Sequence, residues 1–120
     1  MRSRYPAGAE PHPGRITECD DRSVIRHLVL WSFKDDVPQA ERDAIVAAGR
    51  ALGSTVPSLR SLEVGESFSG ARAQGYTHVL VGTFDDRAGL AAYETNPDHV
   101  RVGARLQQAV AKLLVVDLEV

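Results

Sequence analysis

From Val24 to Phe33 the chain reads VIRHLVLWSF, a run apolar on both of the faces that a strand presents. Alternation places Ile25, His27, Val29, Trp31 and Phe33 on one side, and Leu28 and Leu30 on the other. Branched and aromatic residues in such a run favour a strand, and a strand apolar on both sides is usually covered on both. One layer of helices can cover only one of them. That requirement bears on everything the rest of the chain can be.

Lys34-Asp35-Asp36 breaks the run, and Pro38 suits the first position of a helix, where its missing N–H costs nothing. Ala40, Ala44, Ile45, Ala48 and Leu52 recur at helical spacing, with Glu41, Arg42, Asp43 and Arg50 on the opposite side. Gly53 and Pro57 end that helix, and a second strand runs from about Leu59 to Phe68. After the loop Ser69 to Gly75 comes a third strand, Tyr76 to Phe84, with Tyr76, His78, Leu80 and Phe84 together and Thr77, Val79, Val81 and Thr83 opposite. Asp85 or Asp86 can cap a short helix through Tyr93, which Asn96-Pro97 interrupts. A longer helix follows from Pro97 to Lys112, with Val102, Leu106, Ala109, Val110 and Leu113 as its apolar stripe. The last strand, Leu114 to Val120, sets Leu114, Val116, Leu118 and Val120 against Val115, Asp117 and Glu119.

The order is β-α-β-β-α-β, an α+β class of ferredoxin-like type in which four antiparallel strands carry helices on one face. The other face needs a cover, and the simplest supplier is an identical chain, giving a homodimer through the sheet face. Residues 1–22 hold Pro6, Pro11 and Pro13 with Gly8 and Gly14 and almost no branched apolar side chain, so they read as a disordered tail. The folded domain is then residues 23–120. Cys19 falls in the tail and is the only cysteine, so no internal disulfide forms.

A net charge of -2 argues against a nucleic-acid partner, which usually calls for a basic face. No apolar run approaches the ~20 residues of a membrane span, and no apolar stretch follows Arg2 and Arg4 as a secretory signal would require. The expected location is the cytoplasm, with no membrane partner. His27, His78 and His99 lack short metal-ligand spacing, and no Gly-rich phosphate loop opens a helix, so neither a metal nor a cofactor is expected.

The residues with chemistry are His78, His99 and Asp117. An imidazole titrates near neutrality, and a carboxylate beside it would fix one tautomer and raise its basicity. A helix from His99 and a returning strand to Asp117 make that pairing geometrically possible. Against it, His99 near a helix N-terminus sits where the dipole disfavours its charged form. Asp117 and Glu119 also fit the wet side of a strand.

Several motifs taken together resemble the stress-responsive dimeric α/β-barrel family. They are Arg26-His27-Leu28-Val29, Pro57 with Leu62-Glu63-Val64-Gly65, Gly75-Tyr76-Thr77-His78, Phe84, Tyr93, Pro97-x-His99-Val100 and Leu113 to Asp117. The resemblance covers roughly residues 25–120. It implies a homodimer whose two sheets close into a barrel, and leaves function open, because one fold hosts unrelated chemistries.

A characterised plant member cyclises a linear poly-β-ketone thioester without a cofactor. By that resemblance His99 would be the general base, Asp117 its partner, and His27, His78 and Tyr93 pocket residues able to hydrogen-bond an enolate oxygen. Two positions depart from it: Gly49 stands where that member has a pocket tyrosine, and Asn96 where it has a histidine. Two readings follow. One is a homodimeric stress-response barrel that binds a small organic ligand. The other is a cofactor-free cyclase, lyase or isomerase acting on a carbonyl compound through a His-Asp base. The plainer alternatives are core or interface histidines at His27 and His78, and a packing role for Tyr93.

Overall fold

In a computed structural model that describes residues 23–120, β1 (Ile25–Phe33) runs through the middle of a four-stranded antiparallel sheet. The expectations for residues 1–22, Cys19 included, lie outside the described residues. Strands β2 (Leu59–Glu66), β3 (His78–Phe84) and β4 (Val110–Glu119) complete the sheet in the order β2-β3-β1-β4. Helices α1 (Gln39–Thr55), α2 (Arg87–Thr95) and α3 (Pro97–Ala109) join them in the expected α+β, ferredoxin-like order. A short 3-10 turn, Gly70–Ala73, lies in the β2–β3 loop, which Gly75 completes at φ 89°, a value glycine adopts freely.

The alternation in β1 sorts as its sequence requires. Ile25, His27, Trp31 and Phe33 are buried under the helices. Two apolar clusters form there. One joins Ile25, Leu52, Val56, Phe84 and Tyr93; the other joins Trp31, Phe33, Ile45, Leu80 and Ala109. Arg105 of α3 donates to both carboxylate oxygens of Glu41 on α1, at 2.8 and 2.7 Å, and ties the two long helices together. On the other sheet face, Leu114, Val116 and Leu118 of β4 stand exposed, and Leu28 and Leu30 of β1 share their side.

Several boundaries differ from expectation: β2 ends at Glu66, β3 begins at His78 and α3 ends at Ala109. β4 begins at Val110, four residues earlier than the sequence suggests, because Val110 and Lys112 already pair with Phe33 and Ser32 across an irregularity in the ladder. The helical stripe and the strand alternation overlap in those residues, and cross-strand hydrogen bonding decides between them. Among the described residues, no helix is long and apolar enough to cross a membrane.

Candidate active site

Register brings the chemistry together. Along the β1–β4 ladder His27 lies directly opposite Asp117, with both side chains on the helix-bearing face. Opposed residues of an antiparallel pair hold their Cβ atoms about 4.5–5.5 Å apart, within reach of one hydrogen bond. His27 Nδ1–H donates to Asp117 Oδ1 at 2.5 Å, short enough for a charge-assisted bond. The imidazole is 5% exposed. The carboxylate that holds it keeps 41% of its side-chain surface in contact with solvent.

Above the ring lies a cavity of about 350 Å³ between helices and sheet, with His27, Tyr93 and His99 among its lining residues and Trp31, Leu52 and Leu80 along the rest. Both core clusters therefore contribute to its wall. Tyr93 sits between the two imidazoles, its ring centroid 5.7 Å from that of His27 and 4.1 Å from that of His99. This arrangement comes from a tight helix junction. Asp86 caps α2 by accepting from Gly89 N at 2.8 Å, and Asn96 alone separates α2 from α3. The Asn96 side chain accepts from Asp98 N at 2.8 Å, so this departure from the family pattern serves as the cap of α3.

The pairing expected between His99 and Asp117 does not form. Asp117 is engaged by His27, and His99 Nδ1 instead donates to the Glu94 carbonyl, 3.3 Å away across the helix junction. The physical reason is register: a cross-strand neighbour is closer than anything on the helix above. His78, expected to join the group, also stands apart. It stacks on Trp31 with ring centroids 5.4 Å apart and lines a separate recess with Arg42, Arg50 and Glu66. Its position opposite Trp31 in the β1–β3 ladder puts the indole between it and the main cavity. His27 and Tyr93 line the cavity as the family resemblance implies.

Burial sets the protonation of this group. Removal from water lowers the His99 pKa below its ordinary value; the Glu94 carbonyl opposes that shift, and nearby His27 adds to it. Burial likewise lowers His78, against the attraction of Glu66. The Tyr93 phenol is pushed up to about 12, first by burial and then by Glu94, so it remains a hydrogen-bond donor throughout the neutral range. The wall thus offers an imidazole with a carboxylate behind it, a second imidazole kept neutral, and a phenol between them. Such a set can accept a proton and donate a hydrogen bond to an adjacent oxygen. Among the described residues, no three acidic, histidine or cysteine side chains converge on a point where a metal ion would sit.

Trp31 and Gly103 are among the cavity residues that escape sequence reasoning. Trp31 reads as ordinary core, and Gly103 as an unremarked residue in a helix, yet both line the cavity. A glycine in a helix interior with no turn to make was the available signal for the second.

Residues 25–120 match the sequence profile of the Stress responsive A/B Barrel Domain. The stress-response A/B barrel domain-containing protein HS1 of Arabidopsis thaliana is 28% identical over 97 residues, 80% of this chain and 89% of its own. Olivetolic acid cyclase of Cannabis sativa is 26% identical over 95 residues, covering 78% of this chain and 94% of that protein. A dimeric ferredoxin-like protein of unknown function from Thermobifida fusca superposes with a TM-score of 0.73 at 25% identity, over 82% of this chain and 92% of that one.

Proposed function

We propose that this chain, which belongs to the stress-responsive A/B barrel domain family, works as a homodimer that binds a small carbonyl-containing molecule and moves a proton on it without a cofactor. The observation that carries the chemical half is the 2.5 Å contact from His27 Nδ1 to Asp117 Oδ1 on the wall of an apolar cavity. With Nδ1 engaged, Nε2 is the ring nitrogen left to accept a proton. Asp117 fixes that tautomer and stabilises the imidazolium formed when the proton arrives. Tyr93 donates to the carbonyl oxygen as negative charge develops there. Neutral His99 forms the remaining polar wall.

In this reading the α-carbon–hydrogen bond of the ligand breaks, its electron pair moves onto oxygen as an enolate, and the proton rests on His27 Nε2. The enolate carbon then takes a proton back or attacks a second carbonyl. Similarity to a cyclase supports a carbonyl substrate. Gly49 and Asn96 argue for a different one from that relative's. The exposed Leu114, Val116 and Leu118 support pairing through the outer sheet face, as do related structures described as dimeric.

The test uses methyl ethyl ketone and methyl nonyl ketone, each in deuterated water. The protein is expected to accelerate exchange of the ketones' α-hydrogens, and His27→Gln to abolish the acceleration. Exchange no faster than in buffer for either ketone would leave only a binding role.

A further inference from the structure

Gly103, in the middle of α3, lines the cavity, and Gly49, in the middle of α1, lies among Ile45, Val46 and Leu52, which line it. Glycine lowers helix stability relative to alanine because its unfolded backbone is freer. A helix normally recovers that loss where glycine lets another element come close or supplies a left-handed residue. Neither reason holds here. A Cβ at Gly49 or Gly103 would meet no atom within 4 Å beyond its chain neighbours and its own helix backbone, and neither residue has positive φ. By contrast a Cβ at Gly82 would lie 3.3 Å from Leu59, and one at Gly53 would lie 3.5 Å from Leu62. Gly49 is itself buried, so the space beside it is internal.

We infer that Gly49 and Gly103 determine specificity by holding open an apolar lobe for the hydrocarbon tail of the ligand. This rests on the reading of the cavity as a carbonyl-binding site. The polar wall formed by His27, Tyr93 and His99 takes the carbonyl; the space between α1, α3 and the sheet, bordered by Val64 and Leu80, takes an alkyl or aryl substituent. The favoured ligand is a carbonyl compound with a long apolar tail, in preference to one with only a methyl or ethyl group. Side chains at the two glycines would occupy the volume the tail needs.

The experiment titrates the full chain with methyl ethyl ketone and methyl nonyl ketone, following binding by calorimetry. Wild type should bind the nonyl ketone far more tightly. Each methylene buried changes affinity about fourfold, so Gly49→Leu or Gly103→Leu, displacing roughly three methylenes, should weaken the nonyl ketone roughly fiftyfold and leave the ethyl ketone unchanged. Gly49→Ala and Gly103→Ala should raise the melting temperature and cost the nonyl ketone about fourfold. They decide the matter if the leucine variants fail to fold. Equal affinity of wild type for both ketones, or nonyl-ketone binding unchanged in the variants, overturns the inference. Chain-length preference without α-hydrogen exchange would keep this lobe and remove the proposed chemistry, so the two ideas fail separately.

Discussion

Replacing Asp117 by alanine takes away the acceptor of His27 Nδ1–H while leaving a ring that is 5% exposed. A hydrogen bond to a charged partner contributes about 1.5–3 kcal/mol net. Because 41% of the Asp117 side chain already faces solvent, water can partly replace it, which places this bond at the lower end, about 1.5 kcal/mol. For a domain of this size each kcal/mol shifts the melting temperature by about 4–8 °C, so Asp117→Ala should melt roughly 6–12 °C lower. Asp117→Asn keeps an oxygen in place and should lose about half as much. Chemistry separates the two effects. The amide cannot stabilise an imidazolium, so α-hydrogen exchange in Asp117→Asn should fall roughly a hundredfold or more despite the modest loss of stability. Scanning calorimetry reads the first quantity. Nitrogen-15 spectra of the imidazoles read the tautomer, expected as Nδ1–H in wild type and released toward Nε2–H in Asp117→Ala. An alanine variant with unchanged melting and an unchanged tautomer would refute the pairing.

Other outcomes follow from the same geometry. Burial depresses both His99 and His78 below the ordinary histidine value of 6.5, so the folded chain binds fewer protons than the unfolded one just below that pH. Their contribution is complete above 6.5 and is lost on acidification until the folded pKa values are passed, so melting temperature should rise with pH across that window. A flat or descending profile would contradict it. Tyr93→Phe should leave the fold within about 1 kcal/mol of wild type but slow catalysed exchange roughly a hundredfold, because the oxygen of the developing enolate loses its donor. Leu118→Asp puts a charge on the outer apolar face and should sediment as a monomer where wild type is a dimer. A monomeric wild type would overturn the homodimer.

Alternation and helical spacing made the architecture legible, because burial on one face leaves a periodic trace whatever the neighbouring strands do. The double-sided apolar run of β1, the cap at Asp86 and the helix break at Asn96-Pro97 are local signals, and the structure realises them. The partner of Asp117 was not legible in the same way. Choosing His27 over His99 needs the register between β1 and β4, where the paired residues lie 90 positions apart in sequence and the ladder is irregular near Ser32, and no short motif encodes it. Parity held a partial clue, since His27 shares its face with Ile25 and Asp117 shares its face with Val115. His78 misled for a related reason. Its strand position was right, but the indole of Trp31 opposite it closes the way to the cavity.

The cross-strand ladder that seats His27 against Asp117 also decides which way Leu114, Val116 and Leu118 point. A slip of one residue in that pairing would turn the carboxylate outward and bring leucine beneath the helices, exchanging the two faces at once. Selection on the outer surface and selection on the inner chemistry would therefore act on a single alignment of two strands. A mutation that loosens the end of β4 would be felt in both, and neither property could drift alone.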